Sequence, residues 1–279
     1  MSGKAASIKR PRNILIHVIL IIGALSMITP FLWMVLTSLK TFGESTQVPP
    51  VIIPSKLKWS NFTEIFVTLP FLKFYWNTIL TTIFKTLGQL LFCSLAAYAF
   101  ARINFPGRNL LFILLLSILM VPSQAYIIPQ YLIMVKLGWL NSLQALIVPG
   151  ITSVFGTFLL RQFFMTLPSE LEDAAKLDGC NHFQIYWKIM LPLAKPGLIA
   201  HAIFTILWCW NDLMWPLIVN NSPDQMPLSA GLASLQGQFL TNFPVLMAGS
   251  LLASWPMIIM FIFLQKHFVE GIAISGTKG

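Results

Sequence analysis

The sequence predicts an all-α polytopic membrane protein with six transmembrane helices. Three observations carry that reading. The chain of 279 residues is 56% hydrophobic and only 10% charged, whereas a soluble globular chain carries about 25% charged residues. Apolar runs of about 20 residues recur along it, each long enough to cross a bilayer core of about 30 Å. The runs are unbroken, which excludes a porin-like barrel, whose strands alternate and last only about 9–11 residues.

The elements follow in order. A basic tail over 1–13, with Lys4, Lys9, Arg10 and Arg12, precedes a first span at 14–36. That run is too long for a signal-peptide core and lacks a small-x-small site after it, so it reads as a retained span. A loop at 37–76 carries Pro49, Pro50, Pro54 and Pro70 and leads into the core. The core, 77–270, holds further spans at 77–100, 109–126, 143–164, 198–219 and 245–265. The stretch 127–140 is too short and polar to span and is expected at the outer surface. A loop at 168–197 interrupts the apolar pattern, and a tail at 271–279 closes the chain.

Orientation follows from Lys and Arg. One set of connecting segments holds 12 of them and the other 5, with Lys85 left inside a span. The positive-inside rule puts both termini and the 168–197 loop in the cytoplasm, and 37–76 outside. Trp33, Trp59, Trp76, Trp139 and Trp215 fall at expected outer ends and Trp187 at an inner one, as interfacial aromatics do. The net charge of +9 is therefore read as orientation, not as a nucleic-acid surface. Cys93, Cys180 and Cys209 have no zinc-site spacing and read as inert thiols. His17 and His201 lack further ligands at metal spacing and read as packing residues.

The 168–197 loop is the most informative stretch. Ser169 is a natural N-cap and Glu172 completes a capping-box pattern. Glu170, Glu172 and Asp173 stand in the first turn, where the helix dipole favours anions. Gly179 stands where a helix ends with a left-handed residue. Leu171, Ala174, Ala175 and Asp178 share a shallow face suited to a partner's groove. A second amphipathic helix carries Phe183, Tyr186, Trp187, Met190 and Leu191, a face for the inner membrane surface or the other spans. Physics alone allows an ordinary surface helix equally well.

The residues resemble a known family. Asp173-Ala174-Ala175, then Asp178-Gly179, then Ile189-Met190-Leu191-Pro192 look like the EAA motif of ATP-binding-cassette (ABC) importer permeases. Asp173 stands where glutamate is usual and Cys180 where alanine is common. Ala96 to Arg102, Phe155 to Phe164, and Trp210-Asn211-Asp212 with Trp215-Pro216-Leu217 are similar to further parts of such permeases. The resemblance covers about 77–279, the first span fits too, and it is to the smaller maltose-type permeases of carbohydrate uptake. It implies the type I importer architecture (MetI-like) in a bacterial inner membrane. It implies a second permease in a heterodimer, two copies of an ATPase and an external sugar-binding protein. Glu170, Glu172, Asp173, Ala174, Ala175, Asp178 and Gly179 would then form the helix that couples to the ATPase. The chain itself is expected to have no cofactor and no catalytic role. Its Gly271–Lys278 tail reads Gly-Thr-Lys, not the order of a phosphate-binding loop, so ATP and magnesium belong to the partner ATPase.

Polar residues inside spans complete the reading. Asp212 lies about 20 Å into the fifth span and must face the bundle interior or water. With Trp210 and Asn211 it is a candidate for the substrate path; a clamp between helices is the other reading. Lys85, at a similar depth, is expected to pair with Asp212. An ion- or proton-coupled secondary transporter using Lys85 and Asp212 as a relay is the alternative function.

Overall fold

The computed structural model describes the backbone of residues 10–237 and 240–276, and the side chains of 16–237 and 240–265. Lys4, Lys9 and Lys278, used above for orientation, lie outside the described residues. Every regular element among the described residues is helical. A backbone in lipid must satisfy its own hydrogen bonds, and helices do so within one segment.

The chain divides into two compact units. The first comprises 1–68 and 234–254. It contains α1 (Arg10–Ser38), α2 (Phe42–Thr46) and α3 (Asn61–Thr68). Asn61, buried at the start of α3, donates to the carbonyls of Ser38 and Lys40, both at 2.8 Å. The α2 helix opens on a capping box between Thr41 and Glu44. The Ser55 hydroxyl and the Thr41 and Ser55 backbone also donate to Glu44, holding its carboxyl down at about 2.

The second unit comprises 69–233 and 255–279. Its centre is α4 (Phe71–Arg102). Then come α5 (Arg108–Ser117), α6 (Ile127–Leu137), α7 (Leu143–Ile147), α8 (Val154–Thr166), α9 (Glu170–Leu177), α10 (His182–Ile185), α11 (Leu191–Leu193), α12 (Lys195–Asn211), α13 (Met214–Val219) and α14 (Leu228–Ala233). The last helix, α15 (Phe243–Gly276), begins in the first unit and ends in the second. Helices α8 and α12 pack along α4. The polar residues Thr78, Thr82, Lys85, Gln89 and Cys93 of α4 are buried at helical spacing, while Ile83, Phe84, Leu87, Leu91 and Phe92 are exposed. This is the inverse of a soluble amphipathic helix, as expected of a span whose outer face meets lipid.

Among the described residues three helices are long and apolar enough to cross a membrane: Ile16–Ser38, Phe71–Arg102 and Phe243–Gln265. Three bent pairs bring the number to as many as six if each is one span; two of them take in 127–137 and 182–193, which were expected to lie outside the spans. The bends lie at prolines. Arg108–Met120 and Ser123–Leu137 meet at 98° around Pro122, and Leu143–Gly150 and Val154–Thr166 meet at 41° after Pro149. His182–Leu193 and Lys195–Asn211 meet at 76° just before Pro196.

The fifth span is not the single helix expected over 198–219. It stops at Asn211, Asp212 is extended (φ −66°, ψ 113°), and the chain resumes as α13. Pro216 explains the break. A proline has no N–H for the carbonyl four residues earlier, and its ring collides with that carbonyl. That carbonyl belongs to Asp212, and the Ser229 hydroxyl takes it instead at 2.5 Å.

Candidate functional site

Two polar sites flank the length of α4. The first is at its C-terminal end, where Arg102 joins three elements. Its Nε donates to the Phe164 carbonyl at 3.0 Å and its Nη2 to the same oxygen at 2.5 Å. Nη2 also donates to the Leu167 carbonyl. Arg102 thus bonds the last carbonyls of α8, adding to the Leu167 N–H that donates to Phe164 at 3.3 Å. Its Nε lies 3.7 Å from Glu172 Oε1, with both side chains almost fully buried. Burial pushes the Glu172 carboxyl up, more than Arg102 beside it pulls it down.

Glu172 therefore corrects the capping-box expectation. Ser169 adopts helical angles and makes no side-chain cap, and Glu172 turns inward to Arg102. The shallow docking face is corrected too. Ala175 is buried in a core with Tyr98, Leu160 and Phe164, while Ala174 points outward with Glu170, Leu171, Asp173 and Asp178. Leu177 is 90% exposed. The outward face of α9 is thus acidic with apolar tips.

The C-terminal end of α9 is as expected. Gly179 is left-handed at φ +79°. Its N–H donates to the Lys176 carbonyl at 3.0 Å, and that of Cys180 to Ala175 at 2.9 Å. This pair of bonds is the Schellman closure, and Cys180 packs on the core that holds Ala175. Asn181 and Gln184 then form a capping box for α10, which runs on as a π-helical turn, Tyr186–Met190. Of the amphipathic face expected here, Tyr186 and Met190 are buried and Phe183 and Trp187 are exposed. Tyr186 meets the Ser94 hydroxyl of α4 at 2.7 Å. The coupling candidates are therefore fastened to α4 and α8 at both ends of α9.

The second site lies midway along α4. Lys85 Nζ is 3.6 Å from Asp212 Oδ2, and the two side chains are 9% and 29% exposed. The expected pairing is present. It is an ion pair without a hydrogen bond. Gly150 makes it possible, because a Cβ there would stand 2.8 Å from Lys85 Cε. One turn further along α4, Gln89 donates to the Gly150 carbonyl at 2.8 Å and accepts from the Thr205 hydroxyl at 2.9 Å. Cys93 bonds the Ser153 backbone in the same break. The break at Pro149-Gly150 is thus stitched to α4 by side chains. The structure does not gather all three path candidates. Trp210 meets Tyr75 edge-on at 6.3 Å and Asn211 donates to its own helix at Leu207. Asp212 faces a cleft with Lys85, Tyr126, Gln130 and Trp215.

Two signals were open to sequence reasoning and not used. The polar stripe of α4 recurs at helical spacing, and Pro216 stands four residues after Asp212. Arg102 counts in the sequence only toward orientation and as the end of the family-like stretch from Ala96.

Residues 89–274 match the family of binding-protein-dependent transport system inner membrane components. The chain belongs to that family. The permease protein AraQ of the arabinooligosaccharides transport system of Halalkalibacterium halodurans is 38% identical over 256 residues, 90% of this chain and 91% of that protein. AraQ of Bacillus subtilis is 36% identical, over 90% of each chain. The sn-glycerol-3-phosphate transport system permease protein UgpE of Pectobacterium atrosepticum is 32% identical, over 96% of this chain and 98% of that one. A chain of a bacterial ABC transporter involved in the import of the acidic polysaccharide alginate has the same fold, with a TM-score of 0.82 at 24% identity over 96% of this chain. Membership makes this a multi-pass inner-membrane permease subunit of an ABC importer, working with a separate ATPase and a binding protein. Its family carries no catalytic domain and no cofactor. The ion-coupled relay thereby falls away as the source of energy.

Proposed function

We propose that this permease carries carbohydrate, as a heterodimer with a second permease on two copies of the ATPase, and that α9 is its coupling helix. The names of the AraQ relatives, over nine-tenths of the chain, support the carbohydrate reading. The observation that carries the coupling reading is the fastening of α9. Arg102 and the Ala175 core tie its inner side to α4 and α8, and Gly179 closes its end. A helix held that way moves with the spans as one body. Its outward face, with Glu170, Leu171, Asp173, Ala174 and Asp178, is left for the ATPase. In this reading the positive-inside count puts α9 in the cytoplasm. Closure of the ATPase pushes α9, and the bundle alternates between two states that ATP and the loaded binding protein bias differently.

The test is ATP-driven uptake by the complex purified in mild detergent and reconstituted in vesicles with its binding protein. Labelled arabinotriose and maltotriose are the probes, and glycerol 3-phosphate is the comparison. Uptake of a saccharide that requires ATP is expected. Uptake of glycerol 3-phosphate alone overturns the carbohydrate reading. Gly179→Val forces a β-branched residue to positive φ, at about 1–2 kcal/mol. It is expected to separate ATP hydrolysis from uptake in an inserted, assembled complex. Wild-type uptake in that variant counts against α9 as the lever.

A further inference from the structure

We infer that the cleft around Lys85 and Asp212 is a subsite for one ring of an uncharged saccharide, and that the ion pair makes the subsite reject acidic ones. The inference rests on the carbohydrate reading above and adds where this subunit touches its load and by what chemistry it chooses.

The cleft has a volume of about 260 Å³, just below the roughly 300–1,000 Å³ of pockets that hold a drug-sized ligand. That is room for a ring, not for a whole oligosaccharide. Its lining is two-sided. Leu146, Pro149, Met214 and Trp215 supply an apolar wall, and Ser123, Tyr126 and Gln130 supply hydroxyl and amide groups. A sugar ring has the same division, with C–H faces and a hydroxyl rim. Trp215 is already fixed, its indole N–H donating to the Ala145 carbonyl at 2.9 Å. Its ring therefore serves as a rigid wall.

The two charges are left wanting. Lys85 has three N–H donors and Asp212 two acceptor oxygens. Among the described residues neither side chain makes a hydrogen bond, and their only ionic contact is with each other at 3.6 Å. Lys85 is buried and Asp212 half-buried, and charges withdrawn from water are normally both paired and hydrogen-bonded. Vicinal hydroxyls offer what is missing, since one hydroxyl donates to Asp212 while its neighbour accepts from Lys85. Gln89 and Cys93, further along the same face of α4, spend their bonds on the break after Pro149, whereas Lys85 and Asp212 border the cleft.

The pair also sets the sign of the site. Lys85 alone would attract a carboxylate or phosphate. With Asp212 beside it the cleft is neutral, and an incoming anion meets a carboxylate as closely as an ammonium. Removal of the Asp212 charge unmasks Lys85.

The test is equilibrium binding of labelled arabinotriose to the assembled transporter in nanodiscs, without the binding protein, with trigalacturonate as acidic competitor. The wild-type complex is expected to bind arabinotriose and to ignore trigalacturonate. Tyr126→Phe and Gln130→Ala each remove one hydrogen bond and should weaken binding about 2- to 10-fold. Asp212→Asn should make trigalacturonate an effective competitor, and the exchange Lys85→Asp with Asp212→Lys should restore its exclusion. Should Asp212→Asn fail to copurify with the ATPase, the Tyr126 and Gln130 variants still decide the subsite. Unchanged affinity in both of these, or continued exclusion of trigalacturonate by an assembled Asp212→Asn complex, overturns the proposal. Arabinotriose uptake without measurable binding to the wild-type complex overturns the subsite and leaves the carbohydrate reading standing. Absence of all saccharide uptake overturns both.

Discussion

Helix α4 carries three basic residues in ion pairs; Lys73, at its start, is exposed, and the other two, both withdrawn from solvent, are built in opposite ways. Arg102, at its C-terminal end, meets two backbone carbonyls as well as Glu172. Lys85, 17 residues earlier and about 25 Å away along the axis, meets one carboxylate loosely and borders a cleft. The guanidinium is a planar fork that can hold several oxygens in fixed geometry; the ammonium is a point charge on a flexible stem. The first arrangement suits a joint that transmits movement. The second leaves bonding capacity for something that comes and goes. In the proposed reading the same helix is a strut at one end and the wall of a path at its middle.

The comparison breaks most easily at Arg102. Arg102→Ala leaves Glu172 buried without its partner and removes the guanidinium bonds to the Phe164 and Leu167 carbonyls. Removing one member of a buried pair costs about 3–5 kcal/mol. A large fall in the thermal midpoint of the complex, with loss of ATPase copurification, is expected. A small change in both would make the joint ornamental.

Gly150→Ala probes the other side. The added methyl displaces Lys85 from Asp212, since its Cβ would stand 2.8 Å from Lys85 Cε, and such overpacking costs about 1–3 kcal/mol. The expected result is reduced uptake with normal copurification of the ATPase. Equal loss of both would merge the two regions into one.

Glu172→Gln should have the smallest effect and the most informative pH dependence. Burial raises the Glu172 pKa despite Arg102, so the folded state favours its protonated form. Its contribution to stability is fully present below the ordinary carboxylate pKa, near 4.5, and is lost as pH rises through the raised value. Wild type and Glu172→Gln should therefore unfold alike in acid and diverge above it, with the variant the more stable. Thermal scans over pH 4–8 on the assembled complex check this. The opposite sign would mean that attraction to Arg102 outweighs burial.

Much of this was legible in the sequence, for reasons that differ by residue. Gly179 was readable because the left-handed region admits few residues other than glycine. Lys85 and Asp212 were readable as partners because charges at membrane depth must pair. Glu172 misled because its spacing from Ser169 satisfies a local rule, while its real partner, Arg102, is 70 residues away in sequence. Local patterns carry no word of such a contact. The unwound turn at Asp212 was hidden by hydropathy, which averages over the break, although Pro216 announces it. The exposure of Ala174 beside the burial of Ala175 followed from the packing of α9 on α4 and α8, which no single-helix pattern specifies.

The left-handed Gly179 has a consequence for how this loop can vary. Single-base changes in a glycine codon do not reach asparagine, the replacement that best tolerates positive φ after glycine itself. They do reach aspartate, which also enters that region at times, but aspartate would set a negative charge at the end of α9, where the dipole disfavours it. Neighbouring codons in the loop can drift through chemically similar residues one base at a time. Codon 179 has no such conservative step, so the closure of α9 is fenced in by the genetic code as well as by sterics.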